Sequence, residues 1–163
     1  MIVIKKKIGF SIGKFAPLHK GHEHLIETAL KETDEFYVII YDTDVIDIPV
    51  ETRAKWITDK FNKVKIIYAF DSPKQYGLDD QSVKKQMEYL GQKIEGIPVN
   101  CFFSSEPYGE KVAEYLKIEN RIVDVSRSHV PISAGLIRAD LEKYKNFLDN
   151  KVYNEIKFLY NCK

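Results

Sequence analysis

Cysteine is scarce in this chain, 2 among 163 residues. Cys101 and Cys162 cannot build a disulfide framework and show no metal-ligand spacing, so the fold must rest on packing, and the usage suits a reducing cytoplasm. Excess charge is missing too. The 25 Lys+Arg and 24 Asp+Glu leave a net charge of +1, which excludes a global positive field for wrapping nucleic acid but leaves a local basic pocket open. No apolar run approaches the roughly 20 residues of a membrane span. The start, Met1-Ile-Val-Ile-Lys-Lys-Lys-Ile-Gly9, interrupts its apolar run with three lysines before a signal-peptide core can form. The 10 tyrosines are scattered, without the basic-aromatic interleaving of a nucleic-acid platform. Repeats, low-complexity tracts and linkers are lacking. The expectation is a soluble, cytoplasmic protein with no nucleic-acid or membrane partner, homo-oligomerisation being left open.

What is present is globular: 44% hydrophobic and 30% charged residues, in a length that fits one domain over residues 1–163. A chain of this size buries roughly 70% of its unfolded surface and needs no covalent staple. Apolar runs predict strands at Lys7–Gly13, Glu35–Tyr41, Val64–Ala69, Val99–Ser104 and Arg121–Val125. Between them, helical spacing sets Leu25, Ile26, Ala29 and Leu30 on one face, and Val50, Ala54, Ile57 and Phe61 on another. Val83, Met87 and Leu90 line a third helix, and Val112, Ala113 and Leu116 a fourth. Helix-forming sequence then runs from about Ser133 to Tyr160. The strand-helix alternation predicts an α/β fold, a doubly wound parallel five-stranded sheet of Rossmann-like type. Ligands of such sheets bind beyond the carboxyl ends of the strands, where the winding reverses. The segment Asp71–Asp80 reads as a mobile surface loop.

The most informative stretch is Gly13-Lys-Phe-Ala-Pro-Leu-His-Lys-Gly-His22, between the first strand and the first helix. Unpaired N–H groups at a helix start form an anion site. Gly13 admits close backbone approach to a ligand, and Gly21 a tight turn into the helix. His19, His22 and Lys14 beside that helix start would stabilise phosphate charge growing in a transition state. Two histidines three apart also suit metal ligation, but no third ligand follows at a recognisable spacing. A Walker-type phosphate loop is absent. Spacing alone leaves phosphate chemistry level with coincidence.

The same stretch resembles the His-x-Gly-His signature of the nucleotidyltransferase superfamily. A second signature of that superfamily, Ile-Ser-x-Thr-x-x-Arg, resembles Pro131-Ile-Ser-Ala-Gly-Leu-Ile-Arg138. Ser104-Ser-Glu-Pro-Tyr-Gly-Glu110 and Asp124-Val-Ser-Arg127 are similar to segments of NadR-type nicotinamide-nucleotide adenylyltransferases, and the likeness runs from about Ile8 to Ile156. It implies transfer of AMP from ATP to the 5′-phosphate of nicotinamide mononucleotide, giving NAD and pyrophosphate. By position it implies His22 at the α-phosphate, His19 nearby, and Lys14 and Arg138 on the leaving β- and γ-phosphates. Gly13, Phe15, Gly21, Arg127, Ser133 and Ala134 would complete the nucleotide site. Mg²⁺ would arrive with ATP, since the chain offers no dedicated carboxylate cage and no protein metal site. The helix-turn-helix and kinase parts common in NadR proteins do not fit this length, so those activities are not carried over. Gly135 stands where the family pattern has Thr.

For the acceptor, Arg53 and Trp56 fall on one side of the second helix, off its apolar face, where they could stack on a nicotinamide ring or bind its phosphate. Packing of Trp56 beneath the terminal helices is the equal alternative. Glu106 and Tyr108, with Pro107, begin the fourth helix and by resemblance belong to the mononucleotide pocket. A cytidylyltransferase, a pantetheine-phosphate adenylyltransferase and a non-catalytic nucleotide-sensing module are the competing readings.

Overall fold

Strand β2 (Glu35–Tyr41) shows how the sheet is covered. Phe36, Val38 and Ile40 point to one face and Ile39 to the other, and all are buried, as period-two alternation in a doubly covered strand requires. β1 (Ile8–Gly13) pairs in parallel with β2 over its whole length, and β2 with β3 (Val64–Ala69). β4 (Cys101–Ser104) pairs with the other side of β1, and β5 (Glu119–Ile122) closes that edge. The order β3-β2-β1-β4-β5 is all parallel and reverses at β1, which confirms the doubly wound α/β sheet. This computed structural model describes residues 4–73 and 79–161. Residues 74–78 of the expected mobile segment, and Cys162, lie outside them.

The helices divide between the faces. α1 (Lys20–Glu32) and α2 (Val50–Lys60) cover one, burying Leu25, Ile26 and Ala29 with Val50, Ala54 and Ile57 against Phe36, Val38, Ile40 and Phe103. α3 (Asp80–Lys93) and α4 (Gly109–Leu116) cover the other, where Met87, Leu90 and Val112 meet Phe10, Ile39 and Phe102. Each of these side chains larger than alanine contributes roughly 1.5–3 kcal/mol by leaving water. Among the described residues, no helix is long and apolar enough to cross a membrane.

Three expectations change in detail. β4 starts at Cys101, after Asn100, whose Oδ1 accepts from Ile8 N–H and whose Nδ2 donates to the Lys6 carbonyl on the segment entering β1. β5 is shifted towards polar Glu119 and Asn120 and ends at Ile122. The terminal helical stretch is broken into α5 (Ala134–Ala139), α6 (Leu141–Tyr144), a 3-10 turn at Lys145–Phe147 and α7 (Asn150–Asn161). Asp140 makes the first break, its extended backbone leaving the helix while its carboxylate caps Lys143 N–H at 3.1 Å. Short polar side chains compete with helical pairing in this way.

Candidate active site

β1 ends at the reversal point of the sheet, and the chain that leaves it turns into α1 through His19. The His19 backbone is extended, and its Nδ1 accepts the N–H groups of Gly21 (3.0 Å) and His22 (3.3 Å). His22 Nδ1 accepts the His19 N–H in return at 3.2 Å. This is a capping box made of two imidazoles instead of a hydroxyl and a carboxylate. The rings stack with centroids 3.7 Å apart and planes 19° apart. Gly21 is required here, since a Cβ would lie 2.8 Å from His19 Cε1 and 3.0 Å from Nδ1. Phe15, buried and at φ 50°, sets its ring 4.7 Å from that of His22.

The capping decides the chemistry of the pair. Burial, with the Arg127 charge second, pushes His19 down to about 4. Burial also holds His22 well below the usual imidazole range, His19 and Arg127 adding to it. Both rings are therefore neutral near pH 7. Each Nδ1 already accepts a backbone N–H, so the one ring proton sits on Nε2. The site thus presents two neutral N–H donors, a protonation state that the sequence left open.

Cations converge on the same place. Arg127, in the left-handed region at φ 54°, donates from Nη1 to the Ile132 carbonyl at 2.5 Å. Arg138 Nη1 donates to the Ala16 carbonyl at 2.7 Å, tying α5 to the β1–α1 loop. Ser133 caps α5 through Leu136 N–H at 3.3 Å. Lys14, His19, His22, Arg127, Ser133 and Arg138 all line one cleft of about 600 Å³ beyond the carboxyl ends of β1 and β4, as do Gly13, Phe15, Gly21 and Ala134. Among the described residues, no group of three or more His, Cys, Asp or Glu side chains is placed to hold a metal ion.

The other half of the cleft is aromatic and polar. Glu106 and Tyr108 line it as expected, although α4 begins only at Gly109, after Tyr108. Tyr108 donates its hydroxyl to Gln86 Oε1 at 2.9 Å, and burial pushes its phenol up to about 12. Tyr41 and Tyr89 stack here, 6.3 Å between centroids. The sequence had shown tyrosines as scattered; three of them meet at this site. Asp124 was missed as well: its carboxylate accepts from His129 and Val130 N–H, both at 2.9 Å, and shapes the loop bearing Arg127.

Arg53 and Trp56 are the correction. Neither lines the cleft. Arg53, 1% exposed, donates from Nε to the Ile48 carbonyl (3.1 Å) and from Nη1 to the carbonyls of Tyr41 (3.0 Å) and Lys14. Trp56 is buried in the core with residues of α7, its Nε1 donating to Glu155 Oε2 at 2.5 Å. Its off-face position serves a second helix rather than a ligand. Trp56→Phe keeps the packing and loses a bond to a carboxylate, so we expect a loss of about 1.5 kcal/mol in urea unfolding.

A parallel sheet reversing at β1, with a histidine-capped helix and three cations at that point, is the arrangement that the resemblance to His-x-Gly-His nucleotidyltransferases implies. Residues 11–126 match the citrate lyase ligase C-terminal domain, and the chain belongs to that family. The chain is also similar to NadR-like nucleotidyltransferases. It is 31% identical over 91% of its length to the trifunctional NAD biosynthesis/regulator protein NadR of Escherichia coli K12, and it spans 40% of that relative. A crystal structure of NadR protein in complex with NAD and AMP-PNP superposes with a TM-score of 0.68 at 22% identity, over 93% of this chain and 47% of the other. A bifunctional NMN adenylyltransferase/ADP ribose pyrophosphatase from Francisella tularensis, complexed with AMP and a manganese ion, gives 0.65 at 18% identity, over 96% and 50%.

Proposed function

We propose that this single domain transfers AMP from ATP to the 5′-phosphate of nicotinamide mononucleotide, yielding NAD and pyrophosphate. The observation that carries the reading is the reciprocal His19–His22 cap, which sets two Nε2–H donors at a helix start among Lys14, Arg127 and Arg138. The NAD-synthesis names of the similar proteins support the choice of acceptor.

In this reading the acceptor phosphate is already ionised and needs no general base. Its oxygen attacks the α-phosphorus, and the bond to the bridging oxygen of pyrophosphate breaks in line. His22 Nε2–H donates to the α-phosphate, whose charge grows in the transition state, and His19 supplies the neighbouring donor. Lys14 and Arg138 hold the leaving phosphates, and Arg127 flanks the nucleotide. Mg²⁺ is part of the ATP substrate and keeps several of its waters. The mononucleotide occupies the half lined by Tyr108, Glu106, Tyr41 and Tyr89.

The test is a substrate panel with pyrophosphate release as readout: ATP or CTP against nicotinamide mononucleotide, nicotinate mononucleotide and phosphopantetheine. Turnover with ATP and nicotinamide mononucleotide supports the reading. Turnover only with CTP or phosphopantetheine, or none, overturns it.

Gly135 bears on ATP affinity. Its φ is not positive, and an added Cβ would meet only Arg138 Nη2, at an ordinary 3.8 Å. Threonine therefore fits without strain, and its hydroxyl reaches the cleft that Gly135 lines. Gly135→Thr should tighten ATP binding by up to about tenfold, the lower end for a hydrogen bond to a charged group. Calorimetric titration with ATP measures it, and weaker binding with a lowered melting temperature would contradict it.

A further inference from the structure

His24 and His129 have no role in the chemistry above. His24 lies half-buried on α1, two residues beyond His22, and His129 is exposed on the loop between β5 and α5. Their rings stack with centroids 4.2 Å apart and planes 29° apart. The loop around His129 is ordered from within. Asp124, itself at φ 51°, accepts from His129 and Val130 N–H and from the Ser128 hydroxyl at 3.3 Å. Arg127 donates its N–H to the Asp124 carbonyl at 2.9 Å and its guanidinium to Ile132. These bonds all close within residues 124–132. They shape the loop, and buried Ile132 seats its far end beside Gly21 of α1, but none of them ties His129 to α1. The ring stack reaches from the loop to α1, two residues from Arg127 on one side and two from His22 on the other.

We propose that His24 is a positioning residue, whose stack on His129 docks the 124–130 loop onto α1 and so holds the Arg127 guanidinium beside the His19–His22 pair. The proximity of that guanidinium is felt at both imidazoles, whose protonation it opposes. The catalytic consequence rests on the reading of Arg127 as a nucleotide ligand; the docking itself does not. Stacking depends on a flat ring rather than on imidazole nitrogens. Tyrosine at position 24 should therefore preserve it, and alanine should remove it.

The experiment is limited trypsin digestion of the full chain without substrate, following cleavage after Arg127 by mass spectrometry. His24→Ala and His129→Ala should each speed that cleavage roughly three- to tenfold, the range of an aromatic pair. The double variant should go no faster than either single one, and His24→Tyr should match the wild type. The two alanine variants should also raise the KM for ATP, with kcat changed less. Unchanged cleavage in both alanine variants, additive effects in the double variant, or no rescue by tyrosine overturns the docking. Faster cleavage with unaltered ATP kinetics upholds the docking and overturns the placement of Arg127 on the nucleotide. His129 is exposed, so its variant carries the test even if His24→Ala does not fold.

Discussion

His22→Ala should lower kcat by about 10²- to 10³-fold, as removal of one oriented transition-state donor does, with the KM values for both substrates nearly unchanged. The state of the ring decides this. Its Nδ1 is occupied by the His19 N–H, and burial keeps it neutral, so the only proton it offers is on Nε2. A neutral donor interacts weakly with the ground-state phosphate and more strongly as charge builds, which places the loss in kcat. A second consequence separates this from an imidazolium mechanism. With His19 at about 4 and His22 also depressed, neither ring titrates between pH 6 and 8. The rate should therefore pass through pH 6.5 with no inflection from these histidines. Steady-state kinetics from pH 5.5 to 8.5 on both proteins measures this. A wild-type rate falling as pH rises through 6.5, or near-normal turnover by the variant, would remove the neutral-donor role.

The sequence made much of this legible, unevenly and for physical reasons. β2 and β3 match their expected bounds because each is an unbroken apolar-rich run paired along its whole length. β5 was displaced because an edge strand needs less apolar character. The histidine spacing was visible, but their neutrality was not. It follows from a reciprocal cap between two imidazoles, a pattern usually written with Ser or Thr and Glu. The aromatic half of the cleft was hidden more deeply. Tyr41 sits on β2, Tyr89 on α3 and Tyr108 just before α4, and only the strand order brings them to one cleft. Trp56 misled because its helix has two covered sides, the second supplied by α7 about a hundred residues later.

Arg53 is the sharpest case, and the prediction it yields is correspondingly large. A charged residue on a helix is ordinarily solvated or bound to an anion, and the sequence offers no sign of a third use. Here the guanidinium is buried against three carbonyls, on the β1–α1 loop (Lys14), the end of β2 (Tyr41) and the approach to α2 (Ile48). Burial lowers its pKa, and Asp42 and Glu51 act in the opposite sense. The side chain thus pins the segment that carries Lys14 and leads to His19. Arg53→Met retains most of the bulk but leaves three carbonyls without their donor. At about 1–3 kcal/mol for a buried acceptor that loses its donor, most at the Ile48 carbonyl and less at the two part-buried ones, the loss of stability should be about 3 kcal/mol. Arg53→Lys, able to reach one or two of the carbonyls, should fall between. Because the loop serves the nucleotide in the proposed reaction, kcat/KM should drop for ATP and for the acceptor together. Denaturant unfolding and two-substrate kinetics on the Met variant decide the matter. A stable protein with only its acceptor KM raised would return Arg53 to the acceptor-binding role that its position beside Trp56 first suggested.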